Sequence, residues 1–334
     1  MTIDGHVLAL SGGVGGAKLA LGLSSVLSSQ QLTIAANTGD DFEYLGLHIS
    51  PDIDSLLYAL AGVNNESSGW GRASERWTFL SELARLGIDS WFRLGDRDLA
   101  VHVYRTYRLQ AGRTLTEVTR DLSSRFGVAA KIIPMTDDRV STLVETLEGI
   151  LPFQDYFVRY QCQPVVKAIC FENSATSRPS PALSEALANP ELTGIVICPS
   201  NPYLSIDPIL SVPGVADAIA GSGVPVVAVT PIVHGQSVKG PTAKIMTELG
   251  IPVSAVSVAE HYSSLIDGFV LDILDAPIAS AISELGVTVE LTNTMMQTLS
   301  DRKALAGRVI ELIERLAARD RGVEMRSRNS RKPL

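Results

Sequence analysis

A glycine-rich turn near the start of the chain constrains its fold more than any other feature. Residues 7–11 form an apolar, strand-sized run, and Ser11-Gly12-Gly13-Val14-Gly15-Gly16-Ala17-Lys18 then leads into a helical pattern. A turn from strand to helix directs backbone N–H groups and the positive end of the helix beyond the sheet edge, which suits a phosphate group. The alternative is that the glycines only permit a tight turn.

Two common phosphate loops do not match this turn. A Walker loop needs Gly before the lysine and Ser or Thr after it, where this chain has Ala17 and Leu19. A dinucleotide fingerprint needs a third glycine and an acidic residue after the second strand, where this chain has Lys18 and Asn37. The sequence therefore disfavours a standard ATPase and an NAD dehydrogenase.

Short β-branched runs alternate with amphipathic segments along the chain. The predicted strands are 7–11, 32–37, 131–134, 194–199, 226–230 and 269–274. The predicted helices are 18–27, 54–61, 74–86, 96–109, 114–126, 240–249 and 301–318. This order predicts a three-layer α/β fold, with a mostly parallel Rossmann-like sheet and helices on both faces. Ligands are then expected at the carboxyl ends of the strands.

The sequence shows no internal repeat and no linker that would separate two domains. We predict a single α/β domain over residues 1–320, with a helical insertion at about 62–160. Residues 321–334 form a basic tail, and a solvated, flexible end is favoured over an anion-binding role.

Composition narrows the partners and the compartment. A net charge of −8 and a pI near 5.2 disfavour nucleic acid. The cysteines Cys162, Cys170 and Cys198 are odd in number and lack metal-ligand spacing, which favours a reducing compartment. With no signal peptide and only strand-sized apolar runs, we expect a cytoplasmic protein that does not enter a membrane.

Four aspartates follow the second predicted strand within fifteen residues. They are Asp40, Asp41, Asp52 and Asp54, and they are expected on loops at the same sheet edge as the glycine turn. Carboxylate oxygens suit Mg²⁺, which completes its shell with waters and diphosphate oxygens. Asp54 could also accept a hydrogen bond or a proton from a substrate hydroxyl. For any single aspartate, a role as helix cap or turn residue is as plausible.

Eight segments resemble one known family in the same order along the chain. They are SGGVGGAK (11–18), NTGDD (37–41), PDID (51–54), RLGDRDLA (93–100, followed by His102), PMTDD (134–138), FQDYF (153–157), PSNP (199–202) and KGP (239–241). Together they resemble the 2-phospho-L-lactate transferase family, whose bacterial members are often phosphoenolpyruvate transferases. The resemblance runs from about residue 7 to residue 300.

The resemblance implies two small-molecule substrates and Mg²⁺. One is Fo, a deazaflavin with a ribityl chain, and the other is a guanosine diphosphate ester of phospholactate, phosphoenolpyruvate or a related acid. The ribityl hydroxyl would attack the phosphorus nearest the acid and GMP would leave, in coenzyme F-420 biosynthesis. The family also implies a homodimer. Which acid is carried is not decided by the sequence.

The resemblance also assigns site residues. Asp54 and Arg93 match positions that hold Fo, and the loop from Gly12 to Lys18 matches the diphosphate side. In family members, Ser200, Asn201 and Pro202 match positions near the nucleotide. Their places after predicted strands add Asn37 and His234 to the nucleotide group, and Asp41 is placed with Asp54 in catalysis.

Other interpretations stay open at this stage. His234 lies in a loop after a predicted strand and could equally be solvated. A regulatory nucleotide-sugar-binding protein of the related gluconeogenesis-factor family would share the glycine loop and an aspartate pair. The segments 95–98 and 134–138 favour the transferase over that alternative.

Overall fold

The computed structural model describes residues 3–66 and 69–329, and the side chains among them up to residue 319. A seven-stranded sheet forms its centre, and all six strand pairings in it are parallel. In spatial order its strands are β14 (Thr288–Thr292), β13 (Gly268–Asp272), β10 (Val226–Val229), β9 (Leu192–Ile197), β1 (His6–Ser11), β2 (Leu32–Ala36) and β5 (Lys131–Pro134). The predicted α/β class and parallel sheet are confirmed.

Smaller antiparallel units accompany the sheet. They are the hairpins β3–β4 (Phe42–Tyr44, Leu47–Ile49) and β11–β12 (Ile232–Val233, Gln236–Ser237), and a three-stranded sheet of β6 (Ser141–Thr146), β7 (Gly149–Pro152) and β8 (Val166–Glu172). The helices are α1 (Gly13–Val26), α2 (Pro51–Leu60), α3 (Thr78–Arg85), α4 (Asp96–Gln110), α5 (Leu115–Arg125), α6 (Pro181–Leu187), α7 (Asp207–Ser211), α8 (Val215–Ala220), α9 (Thr242–Glu248), α10 (Ala255–Tyr262), α11 (Ala279–Ser283) and α12 (Leu299–Asn329).

Helices cover both faces of the central sheet. Along β1, Val7 and Ala9 pack with α1, α2, α4, α5 and α12, whereas Leu8 and Leu10 pack with α6 to α11. Strands buried on both faces are continuous apolar runs, because every side chain meets a helix layer. This explains why the six predicted strands are confirmed to within about two residues.

Two helices begin earlier than predicted. The glycine turn is itself the first turn of α1, so this helix begins at Gly13 and not at Lys18. Pro51 stands at the first turn of α2, where its fixed φ suits a helix start, and Asp52 and Asp54 therefore lie on that first turn. The prediction that Asp54 stands at the start of this helix is confirmed, whereas the expectation that Asp52 lies on a loop was wrong.

Three helices, α3 to α5, lie in the predicted insertion, but β5 returns the chain to the central sheet at Lys131. The rest of that span holds β6 and β7 of the antiparallel sheet. The predicted domain boundaries stay predictions. The flexible tail predicted for 321–334 lies outside the described side chains, and from residue 330 onward outside the described backbone.

The strand order reverses between β1 and β9. From β1 the chain proceeds to β2 and β5 on one side, and later adds β9, β10, β13 and β14 on the other. The loops at the carboxyl ends of β1 and β9 separate at such a point and leave a crevice, which is where ligands bind in open parallel sheets. The glycine turn follows β1 and the segment 199–202 follows β9, so both border this crevice.

Candidate active site at the carboxyl edge of the sheet

The glycine turn is capped by side chains from two other segments. The Gly12 N–H donates to Ser200 Oγ at 3.0 Å, and Ser200 Oγ donates back to the Gly12 carbonyl at 2.7 Å. The Gly13 N–H donates to Asp52 Oδ1 at 2.6 Å. The first N–H groups of a helix have no partner within the helix, so these contacts fix both neighbouring segments against the start of α1.

Close packing explains each glycine of the turn. A Cβ on Gly15 would lie 2.4 Å from the Pro199 carbonyl oxygen, and one on Gly16 would lie 2.3 Å from Ser11 Oγ. Gly12 meets Asp52 in the same way, and Gly13 has a φ of +62°, which favours glycine. The number of glycines therefore reflects the approach of other segments, and the case for a phosphate here rests on the half-buried start of α1 at the carboxyl edge of the sheet instead.

Asp40 and Asp52 form a buried acidic pair beside the turn. The Asn37 side-chain amide donates to Asp52 Oδ2 at 2.9 Å, while its own oxygen accepts the Gly39 N–H. Burial, together with the charge of Asp52, raises the pKa of Asp40 well above its ordinary value. Burial also raises the pKa of Asp52 to about 6, although hydrogen bonds from Asn37 and Gly13 oppose this. A cation bound beside Asp40 and Asp52 would lower the free energy of ionising the two carboxyl groups.

Asp41 has one carboxylate oxygen occupied and one available. Its Oδ2 accepts the Ser50 hydroxyl at 2.7 Å and lies 3.1 Å from His48 Nε2. Its Oδ1 is buried and has no hydrogen-bond partner in the described part of the chain, as is also true of Asp40 Oδ1 and Thr38 Oγ1. Buried polar atoms usually have partners, so this group of atoms at one sheet edge marks a place for a polar ligand.

Asp54 belongs to a different, enclosed network. Its two oxygens face the fully buried guanidinium of Arg105, with one contact at 3.1 Å, and Oδ2 lies 3.6 Å from His102 Nδ1. His102 Nε2 in turn lies 3.4 Å from Asp98 Oδ1, which accepts the Tyr58 hydroxyl at 2.5 Å. Burial raises the pKa of Asp54 more than Arg105 and His102 lower it. The structure thus separates Asp54 from the other three aspartates.

The predicted nucleotide segment after β9 meets the glycine turn. Asn201 Oδ1 accepts the N–H groups of Tyr203 and Leu204 at 3.0 and 3.2 Å and so caps a π-helical turn, Pro202–Ile206. Asn201 Nδ2 is buried and has no partner in residues 3–66 and 69–329. Ser200, Asn201 and Pro202 are therefore placed beside Gly12 to Gly16 as expected, with their roles still predictions.

Arg93, Lys18 and His234 lie outside this group. The Arg93 guanidinium is exposed and lies 4.5 Å from the ring centre of Trp77. Lys18 faces away from the acidic pair, since its Nζ donates to the Met296 carbonyl at 3.0 Å. His234 is exposed at the tip of the β11–β12 hairpin, where its φ is +50° and its N–H donates to Asp275. The roles predicted for Arg93 with Fo, for Lys18 with the diphosphate and for His234 with the nucleotide stay predictions.

Sequence reasoning missed Arg105, which carries the main charge opposite Asp54. A signal was present, since Asp98, His102 and Arg105 are spaced four and three residues apart and so share one face of α4. All three are buried, which is unusual for such residue types unless they are paired. A polar stripe of this kind on a helix predicts an internal charge network.

Comparison with known proteins decides the family. The model of the 2-phospho-L-lactate transferase CofD family matches residues 7–311. The chain belongs to the CofD family. This confirms the resemblance found in the motifs and makes the chain an enzyme of that transferase family.

Relatives of this chain carry two different names. A phosphoenolpyruvate transferase of Streptomyces coelicolor is 39% identical over 92% of this chain and 98% of the relative. A 2-phospho-L-lactate transferase of Methanocaldococcus jannaschii is 38% identical over 91% of this chain and 97% of the relative. Since the identities are nearly equal, they do not distinguish the two acids.

A solved structure shares the fold of this CofD protein. It is a member of the UPF0052 family from Bacillus halodurans, with a TM-score of 0.59 and 15% identity over 93% of this chain and 100% of that one.

In the described residues of the CofD chain, no helix is both long and apolar enough to span a membrane. The same residues contain no group of three or more His, Cys, Asp or Glu side chains placed to hold a metal ion.

Proposed function

We propose that the protein transfers a phospho-acid group from its guanosine diphosphate ester to the ribityl hydroxyl of Fo, in coenzyme F-420 biosynthesis. Family membership supports transfer of this kind. The observation that carries the assignment to this edge of the sheet is the contact of Gly13 with Asp52, which joins the start of α1 to the acidic pair at the crevice. The free thiols support a cytoplasmic protein, and the homodimer stays a prediction.

The proposed reaction is one displacement at phosphorus. The ribityl oxygen forms a bond to the phosphorus nearest the acid, and the bond from that phosphorus to the bridging oxygen breaks. The bridging oxygen leaves as part of GMP, and the hydroxyl proton passes to a base. Such a reaction asks the protein mainly for positioning and charge neutralisation.

Asp41 is the better placed of the two proposed catalytic aspartates. Its Oδ1 has no partner in the described residues, while Oδ2 is held by Ser50 and His48, so the carboxylate is oriented with one oxygen available. Both oxygens of Asp54 instead face Arg105. We therefore assign proton acceptance to Asp41. Asp54 keeps its proposed contact with Fo, together with Arg93, whose Trp77 platform suits a flat ring system.

The residues present fit a bound Mg²⁺. Asp40 and Asp52 are buried hard-oxygen donors whose mutual repulsion a cation would relieve, and Asp40 has an oxygen with no partner in the described chain. Mg²⁺ commonly uses one or two protein carboxylates and takes its other ligands from water and phosphate. When bound, it would neutralise charge on the diphosphate. Asp40 and Asp52 are the proposed ligands and Asp54 is the least suited, and no third carboxylate of the described residues joins the two in a ready-made site.

The decisive experiment supplies Fo, Mg²⁺ and the three guanylated acids, lactyl, enolpyruvyl and glyceryl, in competition. Mass spectrometry should detect a phosphodiester of Fo, and GMP should appear only when Fo is present. The variant D41N should lose at least about a hundredfold in rate, since general-base catalysis contributes about that much or more. D217N, which alters an exposed aspartate on α8, is the matched control. Absence of Fo-dependent GMP release would reject the proposal.

A further inference from the structure

A small basic pocket lies beside the first turns of α1 and α2. It has a volume of about 100 Å³, opens to solvent, and is lined by residues of α1, α2, the start of α12 and neighbouring loops. Three cationic side chains line it, Lys18, Lys239 and Arg302, against one carboxylate, Glu66. An excess of positive charge in a confined space is favourable only when an anion enters.

The positions of the charged groups show a built site. Arg302 is 5% exposed, donates from Nη2 to Glu66 Oε1 at 3.0 Å, and has a buried Nε without a partner among the described residues. The Lys239 ammonium lies against Gly69, where a Cβ would be 2.2 Å from Nζ. Burial lowers the pKa of Lys18, and the charges of Lys239 and Arg302 lower it further. The lysine and arginine charges therefore converge in this pocket.

The pocket adjoins the acidic crevice. Val14, which lines it, follows Gly13, the residue that contacts Asp52. Ser55, which also lines it, lies one turn along α2 from Asp52. The pocket and the acidic pair therefore share the first turns of α1 and α2 as a common border.

The size and charge of the basic pocket indicate which part of the two substrates it could hold. Pockets that enclose a nucleoside-sized ligand usually measure about 300 to 1,000 Å³, so this one is too small to bury guanosine or the deazaflavin ring. The diphosphate is the part that a metal-binding acidic pair would hold. A small carboxylate has no such partner in the acidic crevice, where Asp40, Asp41 and Asp52 would repel it.

We propose that the pocket of Lys18, Lys239 and Arg302 binds the carboxylate of the acid that the donor carries. This inference rests on the proposed function, because it places one end of the proposed donor. It makes Lys239 and Arg302 determinants of donor recognition, and it locates the discrimination between acids in the walls of this pocket.

The test compares binding of GDP with binding of guanylated phosphoenolpyruvate or phospholactate, by calorimetry with Mg²⁺ present. K239Q should weaken binding of the guanylated acid at least about tenfold and leave GDP binding unchanged, because only the acid reaches the pocket. E66Q removes the competing carboxylate and should tighten binding of the guanylated acid by about threefold. K131Q, which removes an exposed lysine of β5, should change neither affinity.

The outcomes separate two kinds of failure. If K239Q weakens GDP and the guanylated acid equally, the pocket binds phosphate and the assignment of the carboxylate is wrong. If K239Q and E66Q leave both affinities unchanged, the pocket plays no part in donor binding. If the wild-type protein binds neither ligand, the proposed function itself fails, and that result is visible before any variant is made.

Discussion

Asp52 combines three features that tie the chemistry of one side chain to the stability of the whole chain. It is buried, it accepts hydrogen bonds from Gly13 and Asn37, and its pKa is raised from 3.8 to about 6. The folded state therefore holds the Asp52 proton more tightly than the unfolded chain does. Its contribution to stability is present below about pH 4 and is lost as the pH rises through 6.

We expect this to appear as a pH-dependent difference between the wild type and D52N. The free energy of unfolding of the wild type relative to D52N should fall by up to about 3 kcal/mol between pH 4 and pH 7. Denaturant unfolding at several pH values measures it, without Mg²⁺ or nucleotide. D52N also removes the charge that raises the pKa of Asp40, so the measured difference belongs to the two carboxylates together, and parallel curves would contradict their raised pKa values.

At the scale of elements, a buried ion pair joins α2 to α4. Arg105 on α4 is fully buried and meets both oxygens of Asp54 on α2. Removing one partner of such a pair leaves a buried charge uncompensated, which usually costs about 3 to 5 kcal/mol. R105M should therefore lower the free energy of unfolding by about that amount, as measured with guanidinium chloride.

The control for this prediction is an exposed pair at the start of the neighbouring helix α5. Arg113 contacts Glu117 at 3.0 Å, but its side chain is 53% exposed, so R113M should cost less than about 1 kcal/mol. The double variant D54N with R105M should recover part of the loss, because no charge is then left buried. Equal effects of R105M and R113M would mean that burial of the pair has no energetic consequence.

The elements also show what the sequence could predict and what it could not. The central strands were found because buried parallel strands are apolar throughout, but the edge strand β14 was missed. It contains Glu290, which is buried only because Arg308 and Arg315 of α12 contact it. The aspartates were likewise found as a cluster. The sequence did not show that Asp54 is separated from Asp40, Asp41 and Asp52. That separation depends on Arg105, which lies 51 residues after Asp54 in the sequence.

At the scale of the whole molecule, the proposed ligand would connect segments that are distant in sequence. The start of α1, the first turn of α2 and the segment after β9 meet through Gly12, Gly13, Asp52 and Ser200. A nucleotide held there binds only the folded arrangement, and therefore stabilises it by an amount that depends on its concentration. At one hundred times its dissociation constant the gain is about 2.7 kcal/mol, or about 4 °C in Tm for a chain of this length.

We expect GDP with Mg²⁺ to produce this shift, and UDP-glucose at the same concentration to produce none. Mg²⁺ matters because the diphosphate would otherwise meet the unneutralised charges of Asp40 and Asp52, so a chelator should remove most of the GDP effect. Thermal unfolding with each nucleotide, with and without EDTA, measures both points. A shift with UDP-glucose and none with GDP would instead favour a protein that binds nucleotide sugars. A sheet edge of this form offers a phosphate site to a transferase and to a nucleotide-sugar-binding protein alike, so only the base and the attached group of the ligand distinguish the two functions.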